Sequence, residues 1–290
     1  MRYPTFAALS LCLAALGGCK EGVLNPQGPI AFAELQILVN SLGIMLAIVI
    51  PTVIAIIGVA YWFRASNRKA RYLPDFVYSG RLELLVWSIP AMTVMLVGSV
   101  AWVGAHDLDP RKPIPSMVEP VTVQVVALDW KWLFIYPQLG VASVNHLVLP
   151  VGTPVSFELT SSGVMNSFFV PQLGSQIYTM SGMTTHLWLK ADHVGSYPGF
   201  SANYSGEGFA GMLFSVDAVA ASQFAQWLAA ARREGPALDS VSYANLAKPS
   251  SEIEPVTYRS VVPGLFDNIA GSGMSSGFQN QLTQSDSHSH

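Results

Sequence analysis

Beyond position 19 the sequence contains no cysteine. The two it has, Cys12 and Cys19, both precede Lys20, so the rest of the chain can form no disulfide, no thiolate metal site and no cysteine nucleophile. Charge is also scarce: 11% of the 290 residues are charged and 51% are hydrophobic, a balance too apolar for an ordinary soluble protein of this size. That surplus must be gathered somewhere continuous, and a membrane is the first place to seek it. The net charge is −3 and, outside one short segment, the basic residues form no extended surface, which leaves nucleic-acid binding without support. His146, His186 and His193 stand singly, and scattered histidines are more often hydrogen-bonded or exposed than ligating. A mononuclear blue-copper centre takes two His, a Cys and usually a Met, so the missing cysteine excludes a membrane-tethered electron carrier of that kind.

What is present begins with the pattern of a bacterial export signal: Arg2, an apolar run from Phe6 to Leu16, then small residues before Cys19. Leu16-Gly17-Gly18-Cys19 resembles a lipobox, at which a lipoprotein signal over residues 1–18 is cut and the cysteine acylated. A plain signal peptide or an uncut anchor is the alternative. From Leu35 to Phe63 there is no charged residue, a run longer than the roughly 20 residues that span hydrocarbon. A second span runs from about Leu82 to Gly104, with Pro90 inside it and Trp87 and Trp102 as interfacial anchors. Between the spans lie Arg64, Arg68, Lys69, Arg71 and Arg81. Such a basic loop belongs in the cytoplasm, which puts the N-terminus and everything after Gly104 outside. Residues 19–110 therefore read as an N-terminal segment and a transmembrane hairpin. Glu83 is the one carboxylate inside either span. It lines a polar path or contacts a partner, or it sits at headgroup level paired with Arg81 or another loop arginine.

From about Val118 to Val216 the chain changes to short β-branched and aromatic runs, divided by Gly and Pro at roughly 8 to 12 residue spacing, the pattern of an all-β sandwich. The domain is expected over residues 111–217. Next comes an amphipathic helix with Phe224, Trp227 and Leu228 on one face and Arg232 and Arg233 ahead of Gly235. Tyr243, Leu246, Ile253, Tyr258, Val262 and Phe266, scattered among prolines, predict an extended arm laid on the sandwich or on a partner, so that helix and arm occupy 218–266. Residues 267–290 are polar, low in complexity and expected to be a disordered tail.

These parts together resemble subunit II of haem-copper respiratory oxidases. Arg81-Leu82-Glu83 with Val86-Trp87-Ser88-Ile89-Pro90 is similar to the start of that subunit's second helix, whose glutamate lies at the mouth of a proton-uptake channel of the catalytic subunit. The resemblance gives that role to Glu83. The run from Asp129 to Tyr136 is similar to the family's aromatic segment, although such a run by itself is more often strand core. The fold class implied is membrane α plus all-β: a two-helix transmembrane hairpin followed by a cupredoxin-like β-sandwich and a C-terminal helix with an extended arm.

In cytochrome c oxidases the equivalent domain carries a dicopper centre held by two cysteines, two histidines, a methionine and a glutamate carbonyl, soft thiolates bridging the metal pair. The stretch from Val164 to Phe168 is similar to the segment with the first histidine, whose position is Asn166 here. In the loop from Tyr197 to Met212 the cysteine positions fall on Ser201 and Ser205, the glutamate on Asn203 and the second histidine on Phe209; Met212 alone is kept. A hydroxyl cannot supply the bridging anion and Phe cannot ligate, so this chain is expected to bind no metal. Asn203 also removes a carboxylate that helps hold magnesium in relatives. The wording from Met165 to Gln176 is similar to the quinol-oxidising branch of cytochrome bo type, and the likeness covers roughly residues 16–265.

That resemblance implies a non-redox subunit of a proton-pumping oxidase in the bacterial inner membrane, where ubiquinol is oxidised and dioxygen reduced to water. It places the haems and one copper in a large catalytic subunit I, adds smaller membrane subunits and the bilayer as partners, and leaves this chain without a cofactor. The alternative is a lipoprotein scaffold or binding module unrelated to respiration, stable alone instead of co-purifying with a haem-bearing polytopic subunit.

Overall fold

A computed structural model describes residues 22–71, 73 and 75–271. The export signal, Cys12, the lipidation candidate Cys19 and the chain beyond Gly271 lie outside the described residues. Two compact units divide the described residues: one begins at Ala33 and ends at Asp109, and the other joins the described residues up to Phe32 with those from Pro110 onward.

The first unit is a helical hairpin built from α1 (Pro29–Trp62), whose residues before Ala33 belong to the second unit, and α2 (Gly80–Asp107). The helix α1 starts ahead of the expected Leu35. Its opening residues are held by the β-domain, where Ala31 N–H donates to the Leu173 carbonyl at 3.3 Å, just after Gln27 N–H donates to Gln172 O at 2.7 Å. Apolar length alone cannot reveal such a start, whereas a proline at the first helical position suits it. The helix α2 also exceeds its apolar run, reaching Asp107, with Leu108 N–H bonded to Gly104 O at 2.9 Å. Among the described residues Ala31 is the one buried residue of α1 and Gly104 that of α2. Both helices are long and apolar enough to cross a membrane, and neither is buried as a core helix of a soluble protein would be. A Cβ at Gly104 would stand 2.5 Å from Ile37 Cδ1, so glycine is what lets the two helices touch there. Thr52, Thr93 and Ser99 bond back to Ile48 O, Ile89 O and Met95 O at 2.7, 2.8 and 2.7 Å, satisfying their hydroxyls inside apolar runs.

The second unit is a sandwich. Its strands are β1 (Val121–Leu128), β2 (Lys131–Tyr136), β3 (Val141–Val144), β4 (His146–Pro150), β5 (Val155–Ser161), β6 (Asn166–Phe169), β7 (Ile177–Thr179), β8 (Thr185–Leu189), β9 (Gly195–Ser201) and β10 (Leu213–Val219). Then follow α3 (Ala221–Glu234), β11 (Ala237–Leu238), α4 (Ser240–Leu246), β12 (Val256–Tyr258) and β13 (Ser260–Val261). One sheet has the order β12-β3-β2-β1-β5-β8, the other β4-β10-β9-β6-β7, and β11 pairs with β13. Parallel pairing of β1 with β5 and of β4 with β10, among otherwise antiparallel neighbours within the two large sheets, marks crossing connections, and β11 with β13 is parallel too.

Side-chain parity explains why β2 is buried along its whole length. Trp132, Phe134 and Tyr136 point inward with Val123, Val125 and Phe157, while Leu133 and Ile135 point to the other side with Val126 and Leu128. That other side is covered by the C-terminal segment, which contributes Leu238, Leu265, Phe266 and Ile269 to a second core. The expected extended arm is thus only partly extended: it contains α4, adds β12 to the first sheet through Val256 opposite Val144, and ends in helical residues 265–271. It lies on the sandwich, the first of the two sites proposed for it. Ile269 is 6% exposed, so order continues past position 267, where the low-complexity tail was expected to begin. Apolar burial outweighs the local polarity that suggested disorder. The helix α3 does present Phe224, Trp227 and Leu228 to the core, with the Trp227 ring 5.3 Å from Tyr136. Gly235 follows it because a Cβ there would lie 2.6 Å from Thr257 O.

Candidate functional site

The positions singled out in the sequence meet at one end of the sandwich, where the β9–β10 loop packs beside the start of β6. Ser201 ends β9 and Asn166 begins β6; the Ser201 hydroxyl donates to Asn166 Oδ1 at 3.1 Å and also lies 3.2 Å from Asn203 O. The backbone continues the seam, with Ala202 N–H on Ser167 O at 3.0 Å and Ser201 N–H on Met212 O at 3.3 Å. Asn203 Nδ2 reaches Met165 O at 3.1 Å, and Asn166 Nδ2 reaches Val164 O at 3.2 Å. Ser167 adds a bond to Gln176 Oε1 at 3.0 Å. Uncharged amides and hydroxyls therefore stitch the loop to the neighbouring strand.

The remaining positions play other parts. Phe209 opens a 3-10 turn, Phe209–Gly211, and meets the exposed Tyr204 edge-on at 5.6 Å. Met212 is 1% exposed within the sandwich core. Ser205 Oγ is buried without a hydrogen-bond partner among the described residues, as is Trp132 Nε1. Ser201 and Asn166 are mutually satisfied, Phe209 offers no donor atom, and Met212 is committed to packing, so these residues do not fit a copper pair. Among the described residues no group of three or more His, Cys, Asp or Glu stands together.

Trp130 holds this loop from the other side, a role that the sequence reading missed. It is the second residue of the two-residue turn joining β1 to β2, with φ of 64°, a rare conformation for a bulky side chain. Its indole N–H donates to Ser205 O at 3.0 Å, and a Cβ on Gly208 would meet its ring at 2.3 Å. The pairing of Asp129-Trp130 with a glycine-flanked loop was visible in the sequence, but nothing in one chain tells which of two nearby tryptophans turns outward.

Electrostatics tie the arm and the sheets together around this end. The buried Lys131 ammonium donates to Lys248 O at 2.7 Å and to the Ser250 hydroxyl. Burial pushes its pKa below the ordinary lysine value, against the opposing pull of Asp129. Asn145 links the same regions, accepting from Trp132 N–H at 2.9 Å and donating to Ile253 O at 3.2 Å. His146 and Asp217 pair at 2.7 Å. Burial opposes the Asp217 charge, yet hydrogen bonds from Ser196 and His146 prevail and hold its pKa below the usual aspartate value. His186 and His193 join no metal-like group among the described residues.

Glu83 is not part of this cluster. It sits exposed in the first turn of α2, with its N–H on Ser79 O at 2.9 Å, where the helix dipole favours a carboxylate. Among the described residues no ion pair joins it to Arg81 or another loop arginine.

Known proteins resemble this chain over most of its length. The family described as cytochrome c oxidase subunit II, periplasmic domain, matches residues 138–219, and the COX aromatic-rich motif matches 232–276. The second match spans the segment that builds the outer core. The cytochrome bo(3) ubiquinol oxidase subunit 2 of Pseudomonas aeruginosa is 45% identical over 268 residues, covering 91% of this chain and 81% of that relative. Ubiquinol oxidase subunit 2 of Acetobacter aceti is 44% identical over 257 residues, covering 88% and 83%. Among solved structures, the periplasmic domain of subunit II of cytochrome oxidase from Bradyrhizobium japonicum aligns at 25% identity and a TM-score of 0.38, over 39% of this chain and 94% of that one. With its two apolar helices, its cupredoxin-like sandwich and its aromatic-rich arm, the chain belongs to the subunit 2 family of ubiquinol oxidases.

Proposed function

We propose that this chain is the non-redox subunit 2 of a proton-pumping ubiquinol oxidase. It caps and stabilises a large catalytic subunit that holds the haems and the remaining copper, with smaller membrane subunits alongside. The observation that carries the reading is the closed Asn166–Ser201 contact at 3.1 Å, in a loop whose relatives in cytochrome c oxidases would need thiolates and imidazoles to carry electrons. Electrons then pass from membrane quinol to the catalytic subunit without crossing this domain. Cys19 is the acylated first residue of the mature chain, residues 1–18 are its signal, the hairpin sits in the inner membrane, and the sandwich faces the periplasm.

Purification in mild detergent followed by an optical spectrum and subunit analysis tests this. The expected outcome is a haem-bearing complex containing this chain, with ubiquinol-dependent oxygen consumption and no near-infrared dicopper absorption. A chain that purifies alone, or one carrying two coppers, defeats the reading. Glu83 stands at the cytoplasmic end of α2 and assists proton uptake by the catalytic subunit. Glu83→Gln is expected to slow proton-coupled oxygen consumption while the complex still assembles. Undiminished turnover in a fully assembled variant removes Glu83 from the proton path.

A further inference from the structure

Between the two apolar runs Arg64, Arg68, Lys69, Arg71 and Arg81 stand against only two carboxylates, Asp75 and Glu83. All five cations are exposed, and among the described residues no ion pair engages any of them. The backbone that carries the first of them is folded into a turn around Asn67. Asn67 Nδ2 donates to the Trp62 carbonyl at 2.6 Å, closing the end of α1, while Asn67 Oδ1 accepts from Lys69 N–H at 3.2 Å and Asn67 N–H donates to Arg64 O at 2.9 Å. Arg64, Arg68 and Lys69 are thereby gathered close to the end of α1. The Arg64 guanidinium lies over the Tyr61 ring, 4.0 Å from its centroid, which fixes a planar set of donors beside the apolar run. Tyr61, Trp62 and Phe63 are each more than half exposed. Rings of this kind settle at the headgroup level of a bilayer, so the cations adjoining them stand where lipid phosphates lie. An anionic phospholipid answers both features. Its phosphate meets guanidinium and ammonium groups, and its acyl chains lie along the exposed apolar surface of α1, whereas a zwitterionic lipid brings its own cation and gains less.

We infer that the turn from Arg64 to Arg71, with the aromatic end of α1, binds an anionic phospholipid whose phosphate is held by Arg64, Arg68 and Lys69. The inference rests on the reading of the hairpin as membrane-spanning and adds to it a lipid selectivity of this subunit.

The test places the intact oxidase in phosphatidylcholine vesicles containing a photoreactive phosphatidylglycerol and maps the labelled peptides. Label is expected within residues 61–71, displaced by unlabelled phosphatidylglycerol but not by added phosphatidylcholine or inorganic phosphate, and weakened by salt. Replacing Arg68→Gln and Lys69→Gln together should raise the phosphatidylglycerol needed for half-maximal labelling about 25-fold, roughly fivefold for each charge removed. Arg68→Lys, which keeps the charge, should label as the unaltered protein does. Where the double variant fails to insert or assemble, Lys69→Gln alone carries the test with its roughly fivefold change. Equal labelling of residues 61–71 by photoreactive phosphatidylcholine overturns the proposal. So does displacement by inorganic phosphate, which makes the turn a free-phosphate site, or an absence of label there while both lipids label the apolar runs, which makes it a contact for an acidic protein. If neither lipid labels residues 35–63 or 82–104, the membrane reading itself falls; label in those runs without selectivity at the turn removes only the lipid site.

Discussion

Deleting residues 256–271 is expected to unfold the outer β-domain, not merely to shorten it. The segment supplies Leu265, Phe266 and Ile269 to the second core and packs Tyr258 and Val261 against it. Its loss would expose Val126, Leu128, Leu133, Ile135, Ala142 and Val144, each 4% exposed or less in the intact chain. Full burial of one large apolar side chain contributes about 1.5–3 kcal/mol. Three such residues with their half-buried neighbours therefore match or exceed about 5 kcal/mol, the lower end of a domain's whole stability. The first sheet would also lose β12, leaving β3 as an unpaired edge. Limited proteolysis and thermal melting of the detergent-purified protein would report the change, the expected result being cleavage throughout residues 121–219 at temperatures where the full chain resists. A truncated chain melting within a few degrees of the full one would show the arm to be an accessory. A milder version is available at Lys131, whose removal frees Lys248 O and Ser250 without emptying the second core.

Phe168→Ala is expected to cost about 3–5 kcal/mol, the usual range for deleting a fully buried aromatic ring. Phe168 is 0% exposed and lies at the centre of an aromatic group: it stacks on Phe214 at 5.1 Å and meets Trp132, Phe157 and Phe134 at 5.4, 5.5 and 6.3 Å. The same strand carries Asn166 and Ser167, so a collapse at Phe168 would also release the β9–β10 loop. Phe209→Ala removes only a half-buried ring that touches Tyr204 and is expected to cost about 1 kcal/mol or less. Denaturant unfolding of the two variants, compared at equal slope, measures the difference. If Phe209→Ala proved the more damaging, the loop would depend on its aromatic filler and not on the core beneath it.

Trp130 changes how the metal-free loop is understood. Phe209 is the residue that the resemblance to cytochrome c oxidases sets at a histidine position. In the fold Phe209 lies against exposed Tyr204, while Trp130 lies against Gly208 and bonds Ser205 O. Hydrogen bonds from Ser201 and Asn203 hold the loop to β6 and the residue before it. The buried Ser205 hydroxyl, which lacks a partner among the described residues, departs from that pattern.

Much about this protein was legible without coordinates. Two long apolar runs can only be solvated by lipid or by other apolar protein, so the hairpin follows from composition and length. Short alternating strands separated by Gly and Pro need a second sheet to bury their inner faces, which gives the sandwich. The absence of cysteine after Cys19 removes thiolate chemistry whatever the fold. What only the tertiary structure decided concerns pairs of segments far apart in the chain. An alternating pattern reveals one buried face, but β2 is buried on both, because Leu133 and Ile135 meet a segment that arrives only after residue 237. Lys131 is enclosed by carbonyl and hydroxyl groups 117 and 119 positions away. Burial on the second face depends on which distant segment covers it, and local periodicity carries no record of that.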